Sequence, residues 1–280
     1  SCTATTFYGS GANLTGVAAL SGSTNNTIVT VTGANAIQGE GNLTYDGNTL
    51  QVATDTNMEG IKIVSSGDTY NDLTISANRS GSSNHIGRIV GQWNGGNVAA
   101  IIFNTGADTS GKDDGEMVFA TSSGGSSLTE RVRIDSAGRL VIGHTEARTV
   151  NAQKHRLHLI GTTYATSGLS QQRYQNDVSG ASIILSHSRN GTIGGQTALQ
   201  SGDELGKIRF VGSDGVDLEN VGAQIVVTAD GNYSSDSVPG KIEFGTTPNG
   251  SGSPTTRMTI DQNGYVKIGT TAANAYHMTK

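Results

Sequence analysis

Two stretches of the 280-residue chain read almost alike and constrain its fold more than any other feature: RVRIDSAGRLVIGHT at residues 131–145 and RMTIDQNGYVKIGT at residues 257–270. In each, a short alternating run leads into a turn and then a second alternating run, which is the written form of a β-hairpin. The apolar positions coincide: Val132, Ile134, Leu140 and Ile142 match Met258, Ile260, Val266 and Ile268. That face is therefore expected to be the buried one. The other face drifts, with Arg133, Arg139 and Val141 matched by Thr259, Tyr265 and Lys267, as expected of a surface that meets water or a partner. In the turns, Asp135 and Gly138 match Asp261 and Gly264. Asp accepts local hydrogen bonds and Gly takes a φ that a side chain would strain, so these four residues read as structural turn formers.

The hairpins end a longer repeat. LTISANRSG at 73–81 matches IILSHSRNG at 183–191, IGRI at 86–89 matches LGKI at 205–208, NVAAIIF at 97–103 matches NVGAQIV at 220–226, and GEMVF at 115–119 matches GKIEF at 240–244. The offset between the copies grows along the chain, so insertions fall between strands. The largest is the Gly-rich stretch around 192–203, where a loop varies at little cost. Before the repeats, residues 3–17, the β-branched run at 28–32 and NLTYDGNTLQV at 42–52, with an Asp46-Gly47 turn, read as small β units. The expected organisation is small β units over 1–57, a first β repeat over 58–150 and a second over 151–280. No capped helical pattern runs over three turns; residues 167–178 come nearest, and a loop or irregular strand fits them as well.

Composition says where such strands can bury themselves. Only 34% of residues are hydrophobic and 5% aromatic, against about 45–50% apolar, glycine included, in an average globular domain. Single-chain cores are thin, so the strands are expected to bury their apolar faces against copies of themselves in a homo-oligomer; a self-contained sandwich per repeat is the alternative. The lone cysteine, Cys2, allows no intrachain disulfide. A net charge of −5 without a basic cluster argues against nucleic acid as a partner. No apolar run is long enough to span a bilayer, and residues 1–10 do not resemble a signal peptide. The abrupt ends, SCTATT and HMTK, suggest an excerpt of something longer.

Chemistry-bearing motifs are sparse. His155 and His158 are three apart, which on a strand sets them on opposite faces, unable to chelate one metal within a chain. The other histidines are isolated. Acidic clusters at Asp113, Asp114 and Glu116 and at Asp214, Asp217 and Glu219 lack the calcium-loop pattern and read as turn formers. No nucleophile-elbow, phosphate-loop or zinc-protease motif is present. The expectation is a protein with no enzymatic activity, no cofactor and no metal. Trp93 is the only tryptophan and sits among glycines in GQWNGG, which makes it the candidate glycan contact; packing on a neighbouring strand is the plainer alternative.

At ATTFYGSGANLTGV (4–17), NLTYDGNTLQV (42–52), GKIRFVGSDG (206–215), GKIEFGTTPNGSGSPTTRMTIDQNGYVKIGT (240–270) and the shorter version at 115–145, the chain resembles the tail-fibre and related appendage proteins of tailed bacteriophages, in the style of marine and cyanobacterial phages. The resemblance implies an all-β fold: an elongated, repeat-containing fibre, an intertwined or closely packed parallel homotrimer. It implies a structural part of a virion appendage, assembled in the host cytoplasm, that acts as spacer and host-adhesion segment. The implied partners are other copies of the chain, other virion tail or appendage proteins, and a host-surface glycan or protein. Residues 272–280 do not match the cleaved chaperone that ends many such fibres. Two readings compete with it: a tailspike-like glycan depolymerase, whose paired carboxylates could span two chains, and a bacterial surface adhesin.

Overall fold

The computed structural model describes residues 19–21, 27–33, 36–54, 60–68 and 70–269. The chain divides into two compact units, Ser1–Thr74 and Ile75–Lys280. The expected strand pieces at 3–17 and the terminal residues 272–280 lie outside the described residues.

In the first unit, strands β1 (Ala19–Ser21), β2 (Thr27–Gly33), β3 (Ala36–Tyr45) and β4 (Leu50–Val52) form one sheet. The long β3 pairs with all three others, parallel to β1 and antiparallel to β2 and β4. The β-branched run at 28–32 falls in β2. The Asp-Gly hairpin pairs Tyr45 with Leu50, which leaves a four-residue loop in place of a two-residue turn. The loop is wider because the Asp46 carboxylate accepts the N–H groups of both Asn48 and Thr49, at 2.9 and 2.6 Å.

In the second unit, β5 (His85–Trp93), β6 (Gly96–Thr105), β7 (Gly115–Thr121), β8 (Thr129–Ile134) and β9 (Leu140–Ile142) follow one another as an antiparallel meander, and β10 (Leu157–Leu159) adds parallel to β9. After a four-residue helix, α1 (Tyr164–Ser167), and a long irregular stretch, β11 (Glu204–Val211), β12 (Val221–Ala229), β13 (Gly240–Thr246), β14 (Thr255–Ile260) and β15 (Val266–Ile268) form a second meander. The turn joining β5 to β6 is Asn94-Gly95, with φ of 48° and 80°. Positive φ at both central residues is the twist-matched two-residue hairpin connection. The two sheets are tied through Asn151, whose N–H donates to the Leu218 carbonyl at 2.7 Å and whose side-chain oxygen accepts from Arg209.

The repeated segments at 73–81 and 183–191, strand-like in sequence, form no strand within the chain. Among the described residues, no backbone N–H or C=O of residues 75–80 or 183–188 has a hydrogen-bond partner. Their apolar side chains lie open, with Ile183 and Ile184 more than three-quarters exposed.

Candidate interchain interface

The two repeated hairpins are built the same way. Asp135 Oδ1 accepts the N–H of Ala137 and of Arg139, at 3.0 and 2.9 Å, while the Gly138 N–H returns to the Asp135 carbonyl at 2.8 Å. Asp261 Oδ1 does the same for Asn263 and Tyr265, both at 3.0 Å, and Gly264 N–H reaches the Asp261 carbonyl at 2.9 Å. Gly138 and Gly264 sit at φ 71° and 78°, where a Cβ would be strained. Each Asp also meets a cation, Arg139 Nε at 2.7 Å in one case and Lys267 Nζ at 3.2 Å in the other. Partial burial works against ionisation of Asp135, but the Arg139 N–H and guanidinium and the Ala137 N–H hold its carboxyl below the usual range.

These turns set the register that gathers the apolar residues. In the first sheet, Ile89, Ile101, Phe119, Val132 and Ile142 lie opposite one another from β5 to β9, and Phe103, Met117, Ile134, Leu140 and Leu157 form a second row on the same face. The second sheet repeats this: Ile208, Ile225, Phe244, Met258 and Ile268 form one row, and Val227, Ile242, Ile260 and Val266 the other. Sequence alternation predicts that this face is buried. Within one chain it is not: Ile89 is 50%, Ile134 40% and Ile208 54% exposed.

The drifting face, expected to meet water or a partner, is the one that carries the buried residues of the first sheet. Val141 is fully buried and Arg133 is 7% exposed, with Ala100, Ile102, Val118, Ala120 and His158 also buried along it. Burial of Arg133 is tolerated because Glu130 engages it from two atoms, at 2.8 and 2.9 Å, and Glu116 at 2.5 Å. The apolar face has no such cover.

The register also corrects one correspondence between the repeats. NVAAIIF and NVGAQIV align by eye with Ala100 on Ala223, yet Ile89 pairs with Ile101 and the matching Ile208 pairs with Ile225. β6 and β12 therefore correspond one residue further on, with Ala99 on Ala223. Both runs are apolar on both faces, so alternation cannot choose between registers, and a slip of one exchanges the faces.

At the edge of each apolar face the same knob appears. A Cβ on Gly87 would lie 2.0 Å from Ile75 Cγ2, and one on Gly206 would lie 2.8 Å from Leu185 Cβ. Ile75 and Leu185 are themselves equivalent in the repeat, so each extended segment lays an apolar side chain over the glycine of an edge strand.

Exposed apolar rows of this kind, contiguous across a sheet, mark an interaction surface, and both sheets of the second unit carry them.

The other candidates fall elsewhere. Trp93 stands at the β5–β6 turn, 80% exposed. The Asn-Gly pair beside it was a legible turn signal that the reading of its glycines as ligand space passes over. His155 and His158 are not on opposite faces: their ring centroids are 6.3 Å apart, because β10 begins only at Leu157 and strand alternation does not reach His155. The Asp214 carboxylate accepts the N–H groups of Val216 and Asp217, the local bonds of a turn former, whereas Asp114 accepts those of Ala107 and Asp108 across a longer loop and Glu116 lies in β7, paired with Arg133. Among the described residues, no three His, Cys, Asp or Glu side chains are grouped to hold a metal ion, and no helix is long and apolar enough to cross a membrane.

No protein-family model matches the chain, and no curated protein matches it. Solved structures do. The fold is similar to the carboxy-terminal domain of the bacteriophage T5 L-shaped tail fibre, with a TM-score of 0.60 and 18% identity over 79% of this chain and 92% of that one. It is equally similar to that domain solved with its intra-molecular chaperone domain, with a TM-score of 0.61 and 18% identity over 79% of this chain and 64% of that longer one. The chain is nearly all β and has the fold of a phage tail-fibre domain.

Proposed function

We propose that the chain is a structural, non-enzymatic segment of a phage fibre: a parallel homotrimer that acts as a spacer and carries host-adhesion surfaces outward from the virion. The observation that carries this reading is the pair of apolar sheet faces left open in one chain, on a fold similar to a tail-fibre domain. Burying such a face stabilises at about 25 cal/mol per Å², and only copies of the same chain bring a matching stripe to every stripe. The unbonded extended segments at 75–80 and 183–188 are, on this reading, strands that complete the sheets of neighbouring copies. A trimer also presents every weak adhesion site three times, which raises avidity without any new contact.

The non-enzymatic part of the reading is supported by the pairing of Glu116 and Glu130 with Arg133, which occupies the carboxylate pair gathered on the first sheet within a chain, where a depolymerase needs one carboxyl protonated and a second as base or nucleophile; release of oligosaccharides from host polysaccharide by the purified chain would overturn it.

The test is to place a charge in the stripe. Ile134→Asp combined with Ile260→Asp is expected to abolish the trimer mass in light scattering, leaving monomer or aggregate, while Thr259→Asp on the opposite face leaves the mass unchanged. A double variant that keeps the wild-type mass would refute the interface.

A further inference from the structure

On the face of the β5–β10 sheet opposite the apolar rows, the one that carries Arg133 and the small core of Ala100, Ile102, Val118 and Ala120, a hollow of about 300 Å³ opens across β5 to β8. Its floor is apolar, formed by Ile102, Val118, Ala120 and Leu128. Its polar lining comes from several strands: His85 and Arg88 from β5, the buried Asn104 from β6 and Glu130 from β8. From β5 to β8 is three interstrand steps, about 14 Å, long enough for more than one sugar ring. An apolar floor with a few convergent polar groups is the general form of a small-ligand site.

Two features mark the hollow as unsatisfied. Asn104 is 6% exposed, and its Oδ1 is buried without a hydrogen-bond partner, a state that native proteins rarely leave unexplained. The terminal amide torsion is broad and roughly two-fold, so turning the amide over presents its other end to the hollow. Arg88 is exposed and has neither ion pair nor hydrogen bond among the described residues, whereas Arg133 on the same face is held by two carboxylates. Glu130 has its charge countered by Arg133 and keeps lone pairs that can accept from hydroxyls.

We infer that this hollow binds an acidic saccharide, with its carboxylate on Arg88, its hydroxyls on Asn104 and Glu130, and the C–H face of a ring on the apolar floor. The inference rests on the reading of the apolar face as interchain, which turns the opposite face outward. A single uncommitted guanidinium matches one carboxylate on a sugar. It does not match the dense phosphate charge of a nucleic acid, which calls for a basic patch.

The experiment is a titration of the full chain with two size-matched pairs, trigalacturonate against galactotriose and 3′-sialyllactose against lactose. At least one acidic member should bind ten times or more tightly than its neutral match. Arg88→Gln should erase that preference at least tenfold, and Asn104→Ala should weaken both the acidic and the neutral member. Arg88 is an exposed residue, so Arg88→Gln is expected to keep the wild-type mass and melting temperature, which separates failure of the site from failure of the fibre reading. Arg148→Gln, an exposed arginine away from the hollow, should bind as wild type. Equal binding of acidic and neutral saccharides, no binding of any of the four, or acidic binding unchanged in Arg88→Gln would overturn the proposal.

Discussion

Arg133 shows how a position that reads as outward comes to be buried. Its side chain is 9% exposed, between Glu116 at 14% and Glu130 at 18%. Removing one member of a buried charge cluster leaves the others uncompensated and costs about 3–5 kcal/mol. Arg133→Met is therefore expected to lower the denaturation midpoint substantially, and adding Glu116→Gln and Glu130→Gln should recover much of the loss. A single variant that melts like wild type would mean that the cluster contributes nothing. Asp135 allows a test of sign. Its folded pKa is depressed, so its contribution is fully present above the unfolded value of about 3.9 and is lost as pH falls through the lower folded value. Asp135→Asn should thus be destabilised at pH 7 by about 1–2 kcal/mol, and the difference should shrink as pH falls from the unfolded value through the lower folded one. A difference that stays constant as acid is added until the fold itself melts would assign the effect to shape and not to charge.

At the scale of the element, Gly206 is the sharpest probe of how the extended segments dock. A Cβ there meets Leu185 Cβ, which cannot swing aside as a side-chain tip can, so Gly206→Ala is expected to cost about 1–3 kcal/mol and to loosen residues 183–188 in hydrogen exchange. Gly212→Ala, where a Cβ meets nothing within 4 Å, should be silent. The hairpins were legible in the sequence because turn chemistry and apolar alternation agree there: Asp135 and Gly138 demand a turn where Ile134 and Leu140 demand a shared face. The strand-like segments at 73–81 and 183–191 were not, because alternation reports a pleated, half-buried backbone without saying which strand lies alongside. The polar hollow was harder still. Arg88, Asn104 and Glu130 come from three strands, and nothing in their spacing announces that they meet. The burial of Val141 and Arg133 is illegible for a related reason: alternation separates two faces but does not say which of them is covered within the chain.

For the whole molecule, the claim is that one chain is not the folding unit. On the proposed homotrimer, the open rows from Ile89 to Ile142 and from Ile208 to Ile268 and the unbonded segments share one explanation, self-association about the apolar faces. The measurement that tests this most directly is the native mass of the purified full chain, by light scattering with sedimentation velocity, repeated over a hundredfold range of concentration. A homotrimer has a mass of about 86 kDa, three chains of 28.8 kDa each, and that mass is expected to hold on dilution. A well-behaved monomer of one chain mass with a cooperative melt would contradict it, because the apolar rows would then be stable in water without a partner.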